Sequence, residues 1–163
     1  IVMKGIARRG ATGADFAGDD AGDAGFLVMM NEIIQDRPDV HRGWLEAELD
    51  AQIFLADTGN ANAVAKMADD QTEGMDRKVL WASLYQDEEG RNKLTLDFIF
   101  TDKVRNMLNA STAFLAGKKK FGKRTTLRPQ AVYDEVARQV LADRGLKSPL
   151  GKIDGVPMSK YKP

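Results

Sequence analysis

Two carboxylates and a lysine are the first residues whose types could do chemistry together. Asp39, directly after Pro38, and the run Asp76-Arg77-Lys78 imitate an acid, acid-x-lysine pattern in which carboxylates hold magnesium and the lysine steadies an attacking water. Such groups normally sit on adjacent strands, whereas Pro38-Asp39 reads as a helix start, so the match is treated as accidental. Asp69, Glu73 and Asp76 share a face if one helix reaches that far, and a solvated acidic face explains them. His41 is the single histidine, which excludes a multi-histidine metal site and leaves a Ser-His pair one place to find its base. It lies beside Arg42 near a helix start, and the sequence places it exposed and idle. Cysteine is absent, which removes disulfides, thiolate metal sites and cysteine nucleophiles and fits a reducing compartment. Asp15, Asp19, Asp20 and Asp23 are spaced neither as an EF-hand nor as a glycine-rich calcium repeat. No catalytic residue, cofactor or metal site is assigned on these patterns.

The strongest binding signal is basic. Gly117-Lys118-Lys119-Lys120-Phe121-Gly122-Lys123-Arg124 places five cations in eight residues around one aromatic ring, a run that a folded core cannot take. Lys118, Lys119, Lys120, Lys123, Arg124 and Arg128 are candidate phosphate contacts, and Phe121 is a candidate stacking platform for a base. The competing reading is a solvated loop between two helices, since charge runs alone are unspecific. Gly117-x-x-x-x-Gly122-Lys123 also has the spacing of a phosphate-binding P-loop. Arg124, however, stands where a magnesium-holding Ser or Thr belongs, and a helix-like stretch precedes the run in place of a buried strand. Asn109-Ala110-Ser111 satisfies the glycosylation pattern but falls on an expected helix in a chain with no visible secretion signal, and is set aside.

The elements that must position these residues centre on 75–128. Leu94, Leu96, Phe98 and Phe100 alternate with Thr95 and Asp97, the period of a half-buried strand. Val79-Leu80-Trp81-Ala82-Ser83-Leu84-Tyr85 is read as the other arm of a β-hairpin turned by the polar run 87–92. The same arm also has helical i,i+4 pairs in Leu80 with Leu84 and Trp81 with Tyr85. Thr101 caps a helix ended by Gly117, with Val104, Met107, Leu108, Ser111 and Leu115 inward. Upstream, Phe26 to Ile34 shows a wide apolar helical face. Pro38 opens a helix with Trp44, Leu45, Leu49, Ile53 and Ala56 as its buried stripe, joined by Phe54 and Leu55. Gly43 within it costs roughly 1 kcal/mol relative to alanine and points to close packing. Gly59 closes that helix and Asn60 caps a third, so the short link predicts an antiparallel helical hairpin. Arg128-Pro129 starts a last helix carrying Val132, Val136, Val140, Tyr133, Ala137 and Leu141, with Asp134 and Arg138 paired on its wet side.

At 163 residues and 43% hydrophobic content, the chain supports one sizeable core, and it shows no internal repeat. The sequence divides into a flexible basic and Gly-Ala-Asp arm over 1–25, a single domain over 26–145, and a basic extended tail over 146–163 that gains order only by docking. No run approaches the ~20 apolar residues of a membrane span. The chain begins Ile1-Val2-Met3, which reads as a segment of a longer protein. Formal net charge is zero, yet residues 1–100 hold 10 Lys+Arg against 19 Asp+Glu, while 101–163 hold 14 against 5.

The expected fold is α+β and mainly α-helical, with a helical hairpin and further helices packed on a small antiparallel β-hairpin or sheet. The expected function is a non-enzymatic assembly or interaction protein, of the kind found as a viral or phage particle component or as a segment of a larger delivered protein. Its partners would be other proteins or copies of itself, not a membrane, in the cytoplasm or a virion. A nucleic-acid-binding module using 117–128 is the alternative, and a metal-dependent nuclease-like enzyme comes third.

Overall fold

The computed structural model describes residues 5–8, 10, 25–85, 95–119, 126–148, 150–152 and 155–162. Six α-helices appear among them: α1 (Asn31–Asp36), α2 (Pro38–Ala56), α3 (Ala61–Gln71), α4 (Arg77–Leu84), α5 (Asp102–Gly117) and α6 (Glu135–Asp143). The chain separates into two compact units, one of residues 33–99 and 134–163, the other of residues 1–32 and 100–133.

Among the described residues the expected β-hairpin is replaced by a helix and a two-residue strand. Residues 77–84 form α4 because the Asp76 carboxylate accepts from the Lys78 amide at 2.8 Å and caps the helix. The i,i+4 spacing then sets the Trp81 and Tyr85 rings 5.3 Å apart, with Leu80, Trp81 and Tyr85 all buried. The alternating segment does bury Leu96 and Phe98, but its partner is the C-terminal segment. Thr95 faces Lys152 and Leu96 faces Gly151 in a two-residue antiparallel ladder, which is the whole of the strand pairing among the described residues. Beyond it, the Leu150 amide donates to the Leu96 carbonyl at 2.8 Å and the Phe98 amide to Ser148 Oγ at 3.0 Å. Leu94 and the run 87–92 lie outside the described residues. Among the described residues the fold is therefore helical, and beyond this two-residue ladder there is no sheet for the helices to pack on.

In the unit of 33–99 and 134–163, two clusters make the core. Ala61 and Ala65 of α3 meet Trp81 of α4, Tyr85 at its C-terminal end and Leu96, flanked by Val156, Met158 and Tyr161. Leu49 of α2 meets Phe98 and the α6 residues Ala137, Val140 and Leu141. The close helix pairs are accordingly α3 with α4 and α2 with α6 rather than the expected α2–α3 hairpin. Arg42 ties to Asp143, and Arg144 to Asp50, across the α2–α6 pair. Asp57, not Gly59, manages the end of α2, its carboxylate accepting from the Gly59 amide at 2.9 Å.

The buried stripe of α2 is rotated from the expected one. His41 and Leu49 are its buried residues, Leu45 is half-buried, and Trp44, Ile53 and Phe54 remain about two-fifths exposed. A Cβ added at Gly43 would meet nothing within 4 Å, so no packing among the described residues explains this glycine. The last helix is likewise cut in two: Pro129–Val132 is a short 3₁₀ turn, and α6 starts only at Glu135. Arg138 forks onto Asp134 at 3.1 and 2.9 Å as its spacing allows; Arg138 is exposed as expected, whereas Asp134 is buried.

In the unit of 1–32 and 100–133, the Thr101 hydroxyl accepts from the Val104 amide at 3.4 Å and starts α5 where expected. Phe26 stacks on Phe100 with ring centroids 5.9 Å apart. Residues 26–30 are not helical and leave Leu27, Val28 and Met30 exposed, so the wide apolar face read from Phe26 onward does not form. No helix among the described residues is long and apolar enough to cross a membrane.

Candidate nucleic-acid interface

The basic segment grows from the C-terminal end of α5. Lys118 follows the last helical residue, its amide donating back to the Phe114 carbonyl at 3.1 Å and its ammonium lying 5.6 Å from the Phe114 ring centroid. Cations there complement the negative end of the helix dipole. Lys119 turns into the left-handed region at φ 55°, its amide bonding the Ala116 carbonyl at 2.8 Å. This conformation costs an L-residue roughly 1 to 2 kcal/mol and throws the chain off the helix axis. Lys118 and Lys119 are both exposed. Lys120, Phe121, Lys123 and Arg124 lie outside the described residues, as does Gly122 of the P-loop-like spacing. What precedes that spacing is the 16-residue helix α5, not a strand.

Arg128, the remaining predicted contact, is brought against residues that the sequence reading did not single out. Arg105 and Asn109, one turn apart on α5, line a cleft of about 200 Å³ together with Leu127, Arg128, Pro129 and Val132. Arg105 is held in place: its Nε donates to the Phe100 carbonyl at 2.9 Å and its guanidinium lies 5.7 Å from the Phe100 centroid. Arg128 and Asn109 are exposed. The signal that could have found this pair is the i,i+4 spacing of Arg105 and Asn109, off the inward line of Val104 and Leu108. Two guanidiniums, an amide and an apolar wall can bind an oxyanion that carries a flat or apolar group.

The other candidates have structural work. Asp76 caps α4, and Asp39 lies exposed in the first turn of α2. The Val40 amide, and secondarily Arg37, holds the Asp39 carboxyl below its usual range. Asp69 accepts from Arg77 Nε and Nη2 at 3.0 and 2.7 Å. That hydrogen bond raises the Arg77 pKa further. His41 is buried, against the expectation of an idle surface histidine, because α2 turns that side inward. No group of three or more metal-ligating side chains converges among the described residues.

No family model matches the sequence, and no curated protein or solved structure matches it.

Proposed function

We propose that this chain is an assembly protein whose copies associate with one another, or with neighbouring subunits, through complementary charge. The observation that carries this reading is the partition of charge between the compact units. Residues 33–99 and 134–163 hold 13 Lys+Arg against 18 Asp+Glu, while residues 1–32 and 100–133 hold 11 against 6. Each copy therefore presents an acidic body and a basic body, and any copy is complementary to the next. A head-to-tail contact of this kind builds a ring or a filament. Exposed apolar side chains, Val40, Trp44 and Phe54 on α2 and Val28 and Met30 upstream of it, offer contact area that charge alone does not. Component status in a larger particle, viral or phage, is the class of role that fits. Light scattering between 0.1 and 1 M salt, over which the screening length falls from about 10 to about 3 Å, tests the reading through the loss of association.

A second reading is favoured by a specific observation: Arg105 and Arg128 line one cleft in the same unit that carries the exposed Lys118 and Lys119. On this reading the basic unit binds nucleic acid. Binding measured against salt tests it, because each neutralised phosphate contributes about −0.7 to −0.9 to the slope of log K against log salt.

A further inference from the structure

We propose that the cleft formed by α5 and the 127–132 segment is a nucleotide site for single-stranded nucleic acid, taking one phosphate and its attached sugar and base. The inference rests on the second reading above and names what the cleft adds to it. A row of lysines recognises only charge; this cleft has a fixed guanidinium, a second guanidinium, an amide and an apolar wall in one concavity.

Arg105 lines the cleft in a fixed position. Its backbone bond to Phe100 and its place near that ring, itself stacked on Phe26, hold the guanidinium in one orientation. Arg128, exposed in the same lining, supplies the cation that can close on a phosphate. Asn109 stands one helical turn beyond Arg105, and its amide offers both donors and acceptors, the complement of a base edge. Leu127, Pro129 and Val132 provide an apolar wall suited to a sugar or a base face. A cleft of about 200 Å³ has room for a phosphate with part of one nucleoside. Lys118 and Lys119, on the α5 C-terminal end, then meet the phosphates of flanking nucleotides.

The test uses the full chain and a fluorescent single strand of about 12 thymidines, a length within the span that one binding module covers, beside an abasic strand of the same charge. Arg128→Ala and Asn109→Ala change exposed side chains, and an unshifted melting temperature verifies that each variant folds. The expected results are about tenfold weaker binding for Arg128→Ala with a salt slope shallower by about 0.7, and a several-fold loss for Asn109→Ala on the thymidine strand alone. Arg128→Lys keeps the charge, so it should restore the slope and only part of the affinity. If both alanine variants bind like the wild type while Lys118→Ala with Lys119→Ala does not, the cleft proposal is overturned and the nucleic-acid reading survives. If no strand binds at low salt, both fall.

Discussion

The indole Nε1 of Trp81 donates to the carbonyl oxygen of Val156 at 3.0 Å, joining the middle of α4 to a residue 75 positions later. The same indole meets the Tyr161 ring edge-on, with centroids 5.7 Å apart. At the second residue of α3, Asn62 bonds that segment twice: its amide nitrogen donates to the Lys160 carbonyl at 3.3 Å, and its oxygen accepts from the Lys162 amide at 2.7 Å. Residues 155–162 therefore cover the α3–α4 core. Ending the chain after Asp154 is expected to uncover Trp81, seen as a red shift of its fluorescence in a Trp44→Phe background, and to lower the unfolding midpoint. An unshifted spectrum and midpoint would show that the segment contributes nothing to this core.

Leu49 is fully buried, whereas Trp44 on the same helix is 42% exposed. Leu49→Ala should cost about 3 kcal/mol or more through lost transfer energy and the cavity left behind. Trp44→Ala should cost less than half as much in the same chemical denaturation series. The reverse order would restore the stripe that periodicity alone predicts.

Tyr85 is buried, and its hydroxyl has no hydrogen-bond partner among the described residues. Removing an unsatisfied buried polar atom leaves stability unchanged or raises it, so Tyr85→Phe should lie between neutral and about 1 kcal/mol more stable at neutral pH. Burial, with Asp57 adding to it, pushes the Tyr85 pKa up from 10.0 to about 12. The unfolded chain then loses this proton first, so the folded state loses stability as pH rises above 10, and the loss levels off near 12. Tyr85→Phe removes that loss. Denaturation of both proteins at pH 7 and near pH 11 checks it, with the stability difference widening in favour of the variant at the higher pH.

The basic run gives its own prediction under the nucleic-acid reading. Six phosphate contacts yield a slope of log K against log salt of roughly −4 to −5, and changing Lys118, Lys119 and Lys120 together to Ala should flatten it by about half. Phe121→Ala should weaken single-strand binding by about 1 to 3 kcal/mol and leave duplex binding nearly unchanged.

Local signals in the sequence were legible where one interaction decides the outcome. Thr101 starts α5, Gly117 is its last residue, Pro38 opens α2, and Arg138 pairs with Asp134 as spacing requires. What was not legible depended on partners distant in sequence. The arm 79–85 has apolar residues that suit either a strand or a helix, and the Asp76 cap together with the Trp81–Tyr85 pair settles the helix. The alternation of 94–100 correctly buries Leu96 and Phe98, but a strand needs a partner, and two residues of the tail are all it finds among the described residues. On α2 the inward side follows α6, which packs on Leu49 and turns His41 inward and Trp44 out; helical periodicity fixes the stripe width but not its phase. In the candidate site, charge pointed to Lys118, Lys119 and Arg128. Arg105 and Asn109 emerged only once α5 and the 127–132 segment were seen to share a cleft.

The native mass of the full chain, measured by light scattering at low and high salt with and without DNA, tests the central claim most directly. The account predicts a multiple of the single-chain mass at low salt without DNA, falling toward one chain as salt approaches 1 M. A single-chain mass at every salt and protein concentration would contradict association between copies.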